Sequence, residues 1–179
     1  MKNRILMLAA TLLMTACVTL TPEQKAALDT YTRENVRKAV ISQKYDINVT
    51  TMTPMRATGI PVTGYWLKVD SIYLDVNLPY AGRDDIPHLK TRQEARMDSR
   101  LEFRGEILEY VLRLQPKEQR AIATFTTDYR GNIYKFTVTI EEDTDVQIHM
   151  EPEERDYIDY DGTIYIPKPD IKQLKDTVN

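Results

Sequence analysis

From Tyr45 onward the chain alternates apolar and polar residues in one short run after another, and this alternation limits the fold more than any other feature. Tyr45, Ile47 and Val49 alternate with Asp46, Asn48 and Thr50, the period of a half-buried strand, which Pro54 ends. Gly59, Pro61 and Gly64 mark an exposed loop. Beyond it, Tyr65, Leu67 and Val69, then Ile72, Leu74, Val76 and Leu78, describe a hairpin turning near Asp70 and Ser71. Further strands are expected at Leu101 to Phe103, Leu108 to Leu114, Arg120 to Asp128, Ile133 to Ile140, Val146 to Met150 and Tyr157 to Ile166. The turns fall at Pro116 to Glu118, Tyr129 to Asn132 and Glu142 to Thr144. Strands joined by such short turns run antiparallel. The exception to the pattern is Asp84 to Arg100, charged and largely without periodicity.

Before the strands comes one helix. Thr21 is the expected N-cap, Pro22 occupies the first helical position and Gln24 completes a capping box. Leu28, Tyr31 or Thr32, Val36, Ala39 and Val40 recur at helical spacing to about Gln43, a narrow stripe that packs one face on a sheet. The fold class is therefore α+β, mainly β: an N-terminal helix and an antiparallel meander of about eight strands, curved or barrel-like. An open sheet with the helix on one face is the alternative.

The first residues read as export machinery. Lys2 and Arg4 give a positive start, Ile5 to Leu13 form an apolar run too short to span a bilayer as a mature helix, and small residues lead to Cys17. Met14-Thr15-Ala16-Cys17 resembles the bacterial lipobox, which implies cleavage before Cys17 and lipidation of its thiol with acyl chains such as palmitate. The expected organisation is a signal peptide over 1–16, a lipidated end and tether over 17–20, and one domain over 21–179. Within that domain the helix covers 21–43, the meander 45–166 and a tail 167–179. Val18 to Pro22 carry no acidic run of the kind that resembles a surface-export signal, so the expected location is the cell envelope, on the outer membrane facing the periplasm.

Composition narrows the chemistry. Removing Met1 to Ala16 leaves 163 of the 179 residues, enough for one domain with a sizeable core. It also leaves 22 of the 24 basic residues against all 27 acidic ones, a mildly acidic background that disfavours nucleic acid as a partner. Cys17 is the only cysteine, which excludes disulfides within the chain.

Ordered blocks along the chain then resemble a family of Bacteroidetes lipoproteins known as domain of unknown function 4251 (DUF4251). They are Pro54-Met55-Arg56, Gly64-Tyr65 with Leu67 and Val69, Leu78-Pro79-Tyr80 with Gly82-Arg83, Leu101 with Phe103, and Arg155, Ile158, Tyr160 and Gly162. The resemblance spans nearly all of the mature chain and implies an anchored envelope protein, with no activity attached. Two departures stand out: Ala81 replaces an aromatic residue, and the charged Asp84 to Arg100 replaces a glycine-rich loop.

No catalytic set, cofactor or metal is expected. The two histidines, His88 and His149, lack a companion at ligand spacing, and Ser42, Ser71 and Ser99 lack a glycine-framed elbow. Glu141 to Asp145 reads as a solvated turn rather than a calcium loop, and Asp159 with Asp161 share a strand face without evidence of a cleft. The candidate binding residues are Tyr80, Gly82, Arg83 and Arg155, because each arginine suits bidentate capture of a carboxylate or phosphate and Tyr80 sits where a strand ends. The functional expectation is a non-enzymatic binding module, held at the membrane by its lipid, whose partner is an envelope protein or small ligand. The alternatives are a carrier of an apolar or glycan-like ligand, with a cavity lined by residues such as Leu74, Phe125 and Val138, and a hydrolase.

Overall fold

The structure is a computed structural model that describes residues 21–55, 57–81, 100–117, 119–141, 143–153 and 155–169. It opens on α1, Pro22–Ile41. Both halves of the expected capping box form: Gln24 N donates to Thr21 Oγ1 at 3.2 Å, and Thr21 N donates to Gln24 Oε1 at 3.0 Å. These bonds satisfy amides that the first turn leaves without a helical partner. At the other end Gln43 enters the left-handed region, at φ 55, and turns the chain out of the helix. Only Val36 and Val40 of the expected stripe are buried, both in the second half of α1.

Eight strands follow: β1 (Lys44–Pro54), β2 (Ile60–Asp70), β3 (Tyr73–Pro79), β4 (Arg100–Gln115), β5 (Arg120–Tyr129), β6 (Asn132–Glu141), β7 (Asp145–Pro152) and β8 (Ile158–Ile164). Each pairs antiparallel with the next, and β8 returns to β1, so the meander closes into a barrel rather than an open sheet. Right-handed strand twist makes this the economical end state for a long meander, because closure removes the two free edges. At the seam Ile47 stands opposite Ile164 and Pro54 opposite Ile158. Gly162 sits buried there, so near β1 that a Cβ would press on the Asn48 carbonyl oxygen. The β5–β6 turn is equally specific: Arg130 and Gly131 both take positive φ, as a two-residue hairpin of the right twist requires.

Two strands differ from expectation. Leu101 to Phe103 and Leu108 to Leu114 belong to one strand, β4, because a bulge between Ile107 and Glu109 breaks the alternation without breaking the backbone ladder. Similarly, β2 begins at Ile60, inside the expected loop: the register jumps between Val49 opposite Tyr65 and Thr51 opposite Pro61, and the intervening residues bulge out.

The inward side chains fill the barrel. Ile47, Leu67, Phe125, Phe136, Ile148 and Tyr160 are among those with less than 2 % exposure. Phe125 stacks between Phe136, with ring centroids 5.4 Å apart, and Tyr110 at 5.7 Å. Each such side chain contributes about 1.5–3 kcal/mol on burial, the main term holding the fold. The outside is polar, with exposed pairs crossing between strands at Lys44–Asp70, Lys68–Asp46 and Lys135–Glu151. Pairs so exposed contribute about 1 kcal/mol or less. Apolar inside and charged outside is the reverse of the pattern of a bilayer-spanning barrel. No helix among the described residues is long and apolar enough to cross a membrane.

Helix α1 lies at one end of this barrel. Ser71 N, in the β2–β3 turn, donates to Gln43 O at 2.7 Å, pinning the helix exit to that end. Val36 and Val40 face Leu114, Ala121 and Ile140 across a hollow of about 290 Å³. The opposite end, where β3 stops and β8 starts, is not covered by α1.

Candidate functional site

At this second end the strand termini converge on one cluster. Pro79 ends the β3 ladder opposite Arg100, since a residue without an N–H cannot extend it, and Tyr80 follows with 5 % exposure. Its hydroxyl donates to Asp156 O at 3.0 Å. The Arg155 guanidinium carbon lies 5.4 Å from the centre of the Tyr80 ring, a cation–π distance. Beneath them Tyr160 donates its hydroxyl to Pro79 O at 2.8 Å. Burial raises the Tyr160 phenol well above its usual range, and the neighbouring Tyr80 and Asp159 add to the shift. Tyr160 therefore remains a neutral donor in neutral water. The two tyrosines tie the chain leaving β3 to the chain entering β8, across a wide sequence separation.

Tyr80 and Arg155, two of the four expected binding residues, are thus brought together. Gly82 and Arg83 lie outside the described residues, as do Cys17 and His88. Around the same mouth Phe103 stacks on Tyr129 at 4.4 Å and tilts against Tyr134 at 5.4 Å, with Arg130 over Tyr129 at 5.0 Å. The result is an aromatic rim whose Tyr80, Phe103 and Tyr134 rings are nearly buried, with the Arg155 and Arg130 guanidinium groups against it, chemistry suited to an anion.

A second polar cluster escaped the sequence reading. His149 Nδ1 lies 2.6 Å from Asp159 Oδ1, a cross-strand pair between β7 and β8, with the Tyr157 ring at 5.1 Å. Only the register reveals it, since residues opposite each other sit at equal distances from a turn whose length the sequence leaves open. Thr137 stands on the far side of His149 in β6. Among the described residues His149 bonds to Asp159 alone, so no hydroxyl is poised on it as a nucleophile would be. Asp159 and Asp161 both line a hollow of about 320 Å³ with His149; Asp159 bonds His149, while Asp161 stands opposite Gln147 and Thr51. The acidic turn before β7 uses Asp143 Oδ1 to accept from Asp145 N at 3.0 Å, and no group of three metal-ligating side chains occurs among the described residues.

The carrier expectation needs correction. Leu74, Phe125 and Val138 have exposures of 0, 1 and 0 %, so they belong to the packed core rather than to a cavity wall. Aromatic and branched side chains from facing strands meet at the axis and fill it.

A family model described as a domain of unknown function (DUF4251) matches residues 27–164, from the second turn of α1 to the end of β8. Among solved structures, the crystal structure of a DUF4251 family protein from Bacteroides eggerthii is similar, with a TM-score of 0.60 and 12 % identity, covering 79 % of this chain and 90 % of that one. At that identity the likeness is one of fold. No curated protein matches the chain.

Proposed function

This chain belongs to the DUF4251 family, and from that premise we propose that it is a lipid-anchored cell-envelope protein acting as a non-enzymatic binding module, with recognition at the Tyr80–Arg155 mouth. The observation that carries the reading is the placement of Arg155 over the Tyr80 ring at the end of a barrel whose interior is already full. A rim of this kind favours a partner that presents a carboxylate or phosphate beside an apolar surface. The lipobox-like Met14 to Cys17 supports the anchor, and it restricts the partner to the same membrane neighbourhood. From Cys17 to Thr21 the extended chain reaches only about 14 Å at ~3.3–3.6 Å per residue.

The test is crosslinking and pull-down of the lipidated protein from native envelope, wild type beside Arg155→Ala, with mass spectrometry of protein and small-molecule companions. The expected result is loss of the companions from the variant at an unchanged melting temperature. Companions retained by a variant that melts several degrees lower would make Arg155 a staple between β3 and β8, and the recognition site would lie elsewhere.

A second reading rests on the hollow under α1. Its apolar residues Val36, Val40, Leu114, Ala121 and Ile140 suit a small apolar ligand held outside the barrel. An Ala121→Trp variant fills that hollow, and it should abolish small-molecule companions while leaving protein companions in place.

A further inference from the structure

The long strand β4 changes neighbours halfway along. Arg100 to Glu106 pair with β3, and the contact ends where Ile107 N donates to Ile72 O at 2.8 Å. From Ile107 to Gln115 the strand pairs with β5 alone. Its other edge, from Leu108 to Gln115, therefore carries a row of backbone N–H and C=O groups with no strand beside it among the described residues. The side chains along it are open as well: Leu108 is 59 % exposed, Val111 39 % and Leu114 42 %. A free edge of this length with apolar side chains is a template for another strand.

The side chains state which strand fits. Beyond the bulge at Leu108, alternation places Glu109, Val111 and Arg113 on one face, and Tyr110, Leu112 and Leu114 on the other. Glu109 and Arg113 have no ion-pair partner among the described residues, and each is exposed. If a second copy of β4 lies antiparallel with Val111 on the two-fold axis, Glu109 faces Arg113 of the other copy, and the symmetry repeats that pair. In the same register Tyr110 faces Leu112, so the second face is apolar at the centre of the contact. Moving the axis by one residue sets Ile107 or Val111 against Arg113 and loses both ion pairs. We infer that β4 is the interface of a symmetric dimer in which two barrels join edge to edge through residues 108–114, with Val111 at the axis. The interface is self-complementary, as a two-fold contact must be. Tyr110 fixes this part of β4 to its own barrel, its hydroxyl 3.3 Å from that of Tyr45.

The experiment places Val111→Cys in the full-length chain in a bacterial envelope and reads dimer formation on a non-reducing gel, with wild type as the control for Cys17. Directly opposed residues bring Cβ atoms to about 4.5–5.5 Å, close enough for an axial disulfide to form. Lys135→Cys, on the outer face of β6 away from the edge, is expected to give no dimer. Adding Glu109→Lys or Arg113→Glu alone should lower the crosslinked fraction about tenfold, because like charges then face each other twice. Adding both should restore it, which a loss of folding would not allow. Sedimentation of the wild-type chain in detergent, at increasing concentration, is the second measurement and should show dimers. The proposal is overturned if the chain sediments as a monomer and Val111→Cys gives no band. It is equally overturned if Lys135→Cys crosslinks as well as Val111→Cys, or if the double exchange fails to rescue.

Discussion

Replacing Gly162 with alanine should open the seam at which the barrel closes. The added Cβ would press on the Asn48 carbonyl oxygen, with the Asn48 carbonyl carbon at 3.1 Å and Val49 Cα at 3.2 Å. All three atoms belong to the backbone of β1, so no side-chain rotation relieves the overlap, and β1 and β8 must separate. Overpacking of a well-filled site costs about 1–3 kcal/mol, and a rigid neighbour places this substitution in the upper half of that range. For a chain of this size, about 2–4 °C of melting temperature is lost per kcal/mol, so the fall should be about 4–12 °C. Thermal unfolding followed by circular dichroism measures it. Gly131→Ala is the control: its left-handed turn costs something like 1 kcal/mol, yet nothing lies within 4 Å of the new methyl. Were Gly162→Ala to melt with wild type, or to lose less than Gly131→Ala, β8 would not lie against β1 as described and the barrel would be open there.

Three further outcomes follow from buried and terminal groups. Thr127 Oγ1 is buried without a hydrogen-bond partner among the described residues, so Thr127→Val should stabilise by about 1–2 kcal/mol, visible as a higher urea midpoint at unchanged slope. The Tyr45 phenol is raised well above its usual range by burial, then by Tyr110, and Tyr160 likewise by burial. Because the unfolded chain ionises these groups first, near pH ~10, their stabilising contribution is complete below that pH and is lost as pH rises above it towards their folded values. Urea titrations at stepped pH, with tyrosinate absorbance as the second signal, should show this alkaline loss, and late-titrating tyrosines that ionise only on unfolding. Cys17→Ser should leave the domain folded and release it from the membrane, since the proposed anchor holds it by two acyl chains on that thiol and N-terminus; a variant that still sediments with membranes after a salt wash would refute the anchor.

What the sequence made legible follows from which interactions are local. The helix start at Thr21 was readable because a cap, a proline and a capping-box glutamine lie within one turn. The β5–β6 hairpin was readable because Arg130 and Gly131 form the whole turn. Period-two alternation gave the strands their inward faces, as at Leu67, Val76 and Phe136. By contrast, the bulge at Ile107 to Glu109 inverts the pattern in mid-strand, where β4 passes from pairing with β3 to pairing with β5. The site divides in the same way. Tyr80 and Arg155 were legible as residues at strand ends, but their contact depends on closure. The His149–Asp159 pair depends on register alone, which a turn of unknown length conceals.

The most direct test of recognition at the Tyr80–Arg155 mouth is an amide hydrogen-exchange footprint of the purified protein, with and without the companion recovered from the envelope. Protection should gather at 78–80, at 155–157 and around the β5–β6 turn, with the amides of β4 and α1 unchanged by the companion. Protection confined to the hollow between α1 and the β4–β5 hairpin, with 78–80 and 155–157 exchanging as before, would contradict the account.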